Sequence, residues 1–103
     1  MVMGQFQTVS AKEALTLIQG PETLILDCRD LKDYRAGHID NALHVHQQLL
    51  DKLLTSANKQ RPLLFYCYYG HASEHVAAMF GDFGFQQVYS LAGGYAGWHS
   101  HSD

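Results

Sequence analysis

Short apolar runs alternate with helix-periodic segments along this chain, and that alternation limits its fold more than any other feature. "TLILD" (Thr23 to Asp27) and "LLFYC" (Leu63 to Cys67) are apolar on both alternating faces. Runs of that kind, too short for a helix and bounded by breakers, read as strands buried on both sides. "NALHV" (Asn41 to Val45) and "QVYS" (Gln87 to Ser90) read as two further short strands. The segments between them are helical. Ser10 with Glu13 three residues later makes a capping box, Ala11, Ala14, Leu15 and Ile18 share a face, and Gly20-Pro21 stops the helix. Asp30 or its neighbour is placed to cap a short helix through Ala36, ended by Gly37. Leu49, Leu50, Leu53, Leu54 and Ala57 form an apolar stripe. From Gly70 onward Val76, Met79, Phe80 and Phe83 recur at helical spacing, with Gly84 set to close that helix in the left-handed conformation and Phe85 to fold back on it. "AGGYAGW" (Ala92 to Trp98) places two glycines before a short aromatic segment. Strands alternating with helices predict an α/β domain with a mainly parallel sheet and helices on both faces. Ligands of such sheets bind beyond the carboxyl ends of the strands, and Cys67 stands at that end of its strand.

Composition narrows the function classes. A chain of 103 residues is the size of one domain, and 47% hydrophobic residues suffice for one core. A net charge of −3 without a Lys/Arg cluster points away from nucleic acid. The N-terminus "MVMGQFQTVS" lacks a basic start and an apolar core, so no secretory signal is read there. The longest apolar runs are far short of the roughly 20 residues that span a bilayer. A cytoplasmic protein without a membrane partner is the expectation.

Two cysteines cannot staple a disulfide scaffold, and each needs its own reading. Cys28 directly follows "LILD", and a structural, buried thiol is expected there. Cys67 leads into a loop with Gly70 and Ser73 and then a helix. A helix N-terminus carries unpaired N–H groups and favours negative charge, and a loop of successive N–H groups makes an anion nest. Both lower a thiol pKa and make a nucleophile. Spacing alone leaves two readings of Cys67 open: an activated thiolate, or a buried thiol at a strand end.

Three segments bear on that choice: "DCRDLKDYRAGHIDNA" (Asp27 to Ala42), "CYYGHAS" (Cys67 to Ser73) and "LAGGYAGW" (Leu91 to Trp98). In order and spacing the sequence resembles the rhodanese family, in the form of the small single-domain bacterial sulfurtransferases of the GlpE type. The match runs from about Phe6 to His99, so residues 1–103 are expected to form one rhodanese domain, with about five strands in its sheet. The resemblance implies that Cys67 is the catalytic cysteine. Its thiolate would take the sulfane sulfur of a donor such as thiosulfate or a persulfide, and a thiol, a protein acceptor or cyanide would collect it from the Cys67 persulfide. Backbone N–H groups of Tyr68, Tyr69, Gly70, His71, Ala72 and Ser73 would hold the anion. Asp27 and Arg29 would pair and fix the loop, Gly37, His38, Gly93 and Gly94 would shape turns, and Trp98 would anchor the core. No metal and no organic cofactor is implied.

The loop departs from the family pattern in carrying no Arg or Lys. Glu74 stands where a cation would help to bind an anionic donor, and His71 compensates only when protonated. A sulfur-relay carrier that serves protein partners, or a non-catalytic binding module, are therefore the alternative readings. Ser73, not Arg, stands six residues after Cys67, which argues against a phosphatase or arsenate reductase needing a bidentate anion clamp. Seven histidines invite a metal reading, with His71 and His75 one helical turn apart, His44 and His46 on one strand face and His99 and His101 in the tail, but none forms a strong ligand motif. Tyr68 and Tyr69 at the mouth read as an apolar wall for an acceptor or a docking patch for a partner, or one of them simply packs on the helix.

Overall fold

The computed structural model describes residues 5–56 and 58–102, with side chains through residue 98; Ala57 and the side chains of His99 and His101 lie outside the described residues. Five strands form one sheet: β1 (Gln7–Val9), β2 (Leu24–Asp27), β3 (Leu43–His44), β4 (Leu63–Tyr66) and β5 (Val88–Leu91). Their order is β1-β5-β4-β2-β3, and every neighbouring pair is parallel. Parallel neighbours need crossovers, and helices α1 (Ala11–Leu17), α2 (Leu31–Ala36), α3 (Gln47–Ser56), α4 (Ala72–Asp82) and α5 (Gly94–Ser102) lie between or after the strands.

Side-chain alternation along the strands splits the core in two. Ile25, Leu64, Tyr66 and Leu91 face one side, where Ala14 and Ile18 near α1, Tyr34 of α2 and Tyr95 and Trp98 of α5 pack. Leu26, Leu63, Phe65 and Val88 face the other, against Leu49, Leu50 and Leu53 of α3 and Val76, Ala77 and Phe80 of α4. β4 lies between β5 and β2 and is buried along its whole length, which accounts for its unbroken apolar run.

Local signals set several boundaries. Ser10 Oγ accepts the Glu13 N–H at 3.1 Å while Glu13 Oε1 accepts the Ser10 N–H at 2.9 Å, so the capping box forms as predicted. Gly84 takes φ +92, and the Phe85 N–H donates back to Phe80 O at 3.2 Å, with the two rings 5.1 Å apart. That is the predicted closure of α4. Other details differ. β1 was not legible, because only Val9 of its three residues is buried. The aromatic segment after Gly93-Gly94 is a helix, α5. Phe83 and Leu15, expected on apolar faces, are 54% and 38% exposed. Asp30 makes no side-chain cap bond, and Gly37 is extended, not left-handed.

Candidate active site

β4 delivers Cys67 to the carboxyl edge of the sheet, 3% exposed. The loop beyond it turns away from the ladder with Gly70 at φ +104. A Cβ at Gly70 would lie 3.2 Å from Gly93 N and Leu91 O, so the loop packs backbone to backbone on the β5–α5 turn. Cys67 O and Tyr68 O accept the N–H groups of Tyr95 and Ala96, at 2.8 and 3.2 Å, from the first turn of α5. A peptide N–H points opposite to its C=O, so anchoring Tyr68 O on α5 leaves the Tyr69 amide facing back toward the sulfur.

The hydrogen bonds to Cys67 Sγ come from the Gly70 N–H at 3.2 Å and the Ser73 N–H at 3.3 Å. Ser73 lies in the first turn of α4, where helical N–H groups have no partner within the helix. Its hydroxyl lies 3.4 Å from the sulfur and 2.8 Å from Ser90 Oγ. Burial alone pushes the Cys67 thiol up, but the Ser73 hydroxyl and the amides of Ser73, Gly70 and Tyr69 together hold it below the ordinary thiol value. The sequence predicted six converging amides; the donors that act on the sulfur are those of Tyr69, Gly70 and Ser73. Ala72 begins α4, and His71 precedes it without a side-chain cap bond. Tyr68 contributes elsewhere: its hydroxyl donates to the Asp33 carboxylate and accepts the Asp30 N–H at 3.2 Å, tying the loop to the start of α2. Tyr69 is 70% exposed. Glu74 lies half-buried in the first turn of α4.

Asp27 and Arg29 are both buried. Arg29 reaches the Asp27 carboxylate through Nε at 3.1 Å and Nη2 at 2.8 Å, and its own N–H donates to Asp27 Oδ1 at 2.8 Å. Burial pulls the guanidinium pKa down, but the hydrogen bonds and charge of Asp27 more than offset it and raise it above its ordinary value. The Tyr66 hydroxyl donates to Asp27 Oδ2 at 2.6 Å and accepts the Ile39 N–H at 3.1 Å. Arg29 also holds Gly37 O at 2.6 Å and stacks 4.0 Å from the Tyr95 ring. The pair thus joins β2, β4, the turn after α2 and α5, and it meets the Cys67 loop through Tyr95. His38 is exposed, stacked on Tyr34 with centroids 3.9 Å apart and Nδ1 2.7 Å from Tyr34 O.

The Cys28 thiol is shifted in the opposite direction to that of Cys67. Cys28 is half-buried, and burial, then the charges of Cys67 and Asp27, push its thiol up to about 12. Among the described residues no cluster of His, Cys, Asp and Glu is arranged to hold a metal ion, and no helix is long and apolar enough to cross a membrane. Sequence reasoning missed Ser90 and Tyr66, and read Gly94 only as a turn residue, not as the close contact of the Cys67 loop. A hydroxyl within each of the apolar runs "VYSL" and "LLFY" was the available signal for the first two.

The chain matches the family model described as the rhodanese-like domain over residues 10–101. It is 38% identical over 96 residues to the thiosulfate sulfurtransferase GlpE of Coxiella burnetii, covering 93% of this chain and 90% of that protein. It is 34% identical to the thiosulfate sulfurtransferase GlpE of Tolumonas auensis, covering 93% and 91%. The solution structure of a rhodanese-like domain from Anabaena sp. superposes with a TM-score of 0.79 at 26% identity, covering 94% of this chain and 76% of that one.

Proposed function

Since the chain belongs to the rhodanese-like domain family, we propose that it is a thiosulfate sulfurtransferase whose nucleophile is Cys67. The observation that carries this reading is the donor set on the Cys67 sulfur: the amides of Tyr69, Gly70 and Ser73 and the Ser73 hydroxyl outweigh the cost of burying an anion. The Cys67 thiolate attacks the outer sulfur of thiosulfate, the S–S bond of the donor breaks, and sulfite leaves with the bonding pair. Charge balances, because a thiolate and a dianion become a persulfide anion and a dianion. The persulfide anion then occupies the same nest of N–H groups, which stabilise it without reorganising. An acceptor thiolate attacks the outer sulfur and frees Cys67, so the two half-reactions follow ping-pong kinetics. Cyanide collects the sulfur as thiocyanate in the same way. Asp27, Arg29 and His38 touch no reacting atom in this scheme; the first two hold the framework on which the loop is clamped.

One observation favours a second reading in which the sulfur arrives from a protein persulfide. No cation stands between Cys67 and Glu74, and Arg29 is spent on Asp27 and Gly37 O. The test is the intact mass of the protein after incubation with thiosulfate, alongside Cys67→Ser. The expected result is a gain of one sulfur atom that requires Cys67 and is discharged as thiocyanate by cyanide. No gain from thiosulfate but gain from a protein persulfide selects the carrier reading; no gain from either leaves a non-catalytic binding module.

A further inference from the structure

The two cysteines follow directly on neighbouring strands, Cys28 on β2 and Cys67 on β4. β2 and β4 pair in parallel with Asp27 opposite Tyr66. The Cys28 N–H donates to Tyr66 O at 2.7 Å, the bond that closes the Asp27–Tyr66 pair, so Cys28 and Cys67 are the next residues along the two strands. Adjacent strands lie about 4.8 Å apart, inside the roughly 4.4–6.8 Å range of Cα separations that a disulfide bridges. Side chains alternate along each strand. Leu26 and Phe65 face the α3–α4 side, so Cys28 and Cys67, two residues beyond each, face that side together. Cys28 packs there, and the charge of Cys67 reaches it. Both thiols are free in this structure.

We propose that Cys28 is the resolving thiol of Cys67: when a hydroperoxide oxidises Cys67, the two close into a disulfide that shuts the active site reversibly. The Cys67 thiolate attacks one peroxide oxygen, the O–O bond breaks, and water leaves after protonation, giving a sulfenic acid. Cys28 sulfur then attacks Cys67 sulfur. The S–O bond breaks, the hydroxyl leaves with the Cys28 proton as a second water, and an S–S bond forms. Two thiols lose two electrons, and the peroxide takes them. Oxidation of Cys67 also removes the negative charge that opposes ionisation of Cys28, so the second thiol becomes easier to ionise once the first has reacted. A low-pKa cysteine beside a second thiol is the arrangement that diverts sulfenic acid from the irreversible sulfinic and sulfonic states.

The test uses the whole chain treated with hydrogen peroxide in the absence of any sulfur donor, so its outcome does not depend on sulfur transfer. Non-reducing peptide mapping is expected to show the Cys28 and Cys67 peptides joined within one chain, with an intact-mass loss of about 2 Da that dithiothreitol reverses. Cys28→Ala and Cys28→Ser are both expected to gain about 32 Da on Cys67 instead, as sulfinic acid that dithiothreitol does not remove. Cys67→Ser is expected to leave Cys28 unoxidised on the same timescale. The proposal is overturned if the unaltered chain gains about 32 Da as fast as the Cys28 variants do, or if the only cross-link joins two chains.

Discussion

Ser73 serves the sulfur twice, through its amide and its hydroxyl. Ser73→Ala keeps the first and removes the second. A hydrogen bond to a charged group is worth about 1.5–3 kcal/mol, so the variant is expected to lose roughly ten- to a hundredfold in sulfurtransfer rate at neutral pH. The direction with pH follows from the lowered thiol pKa of Cys67. The thiolate persists until pH falls through the folded-state value, and whatever stability the anion contributes is present above the ordinary thiol pKa and lost over the same acid-side window. Removing the hydroxyl raises that folded-state value. The pH midpoint for alkylation of Cys67 by iodoacetamide should therefore move up in Ser73→Ala, and by less in Ser90→Ala, which deprives only the Ser73 hydroxyl of its 2.8 Å partner. An unchanged midpoint in Ser73→Ala would mean that the amides alone hold the anion. Arg29 tests a different balance. Breaking a buried pair from one side leaves a charge uncompensated and costs about 3–5 kcal/mol. Arg29→Ala should lower the urea midpoint accordingly. Arg29→Lys should recover only part of the loss, because an ammonium cannot reproduce the two-point contact with Asp27.

At the level of elements, the site is a clamp between the β4–α4 loop and the start of α5, and two glycines show where it closes. Gly84 and Gly94 both have positive φ, +92 and +58. A Cβ on Gly84 meets nothing within 4 Å, whereas one on Gly94 would lie 2.5 Å from both Cys67 O and Tyr68 O. Gly84→Ala should therefore cost only the conformational term, about 1–2 kcal/mol, with sulfurtransfer unchanged. Gly94→Ala should push the loop off α5, turn the Tyr69 amide away from the sulfur and lower both stability and activity. Thermal unfolding and steady-state rates on the two variants separate the cases; equal losses of activity would show that the α5 contact does not orient the loop. This clamp was only partly legible in the sequence. The two glycines and the aromatic residues after them stand out, but that they receive the loop carbonyls depends on two segments some 25 residues apart meeting at one sheet edge, which no local pattern carries. Elements whose signals are local were legible: the capping box of α1, the glycine closure of α4, and the apolar runs of β2 and β4. β1 was not, because an edge strand with one buried residue shows no periodicity. Nor was the register that sets Asp27 opposite Tyr66, with a cysteine following each, because register is a property of two strands together.

For the molecule as a whole, the sheet order brings every chemically active group to one edge while the surface charge works against the proposed donor. The chain carries a net charge of −3, its active loop holds no Lys or Arg, and Arg29 is 6% exposed and bound to Asp27. A dianion such as thiosulfate must approach that edge against the field, so binding of the donor, not the chemistry at Cys67, is expected to limit the rate at low donor concentration. Tyr69 offers the place to reverse this, because its side chain is 70% exposed at the mouth and only its backbone serves the sulfur. Tyr69→Arg leaves the amide in place and adds one positive charge. An exposed charge interaction is worth up to about 1 kcal/mol, so the KM for thiosulfate should fall by up to about fivefold while kcat stays within twofold. The advantage should shrink as ionic strength rises, because the screening length drops to about 8 Å at physiological salt. For the unaltered chain the sign is opposite: added salt screens repulsion and should lower the KM. Steady-state kinetics at two salt concentrations on both proteins decide the matter. A KM that responds neither to salt nor to Tyr69→Arg would mean that no free dianion is recognised at this mouth, and the exposed tyrosines beside an uncharged loop would then fit a donor sulfur carried on another protein.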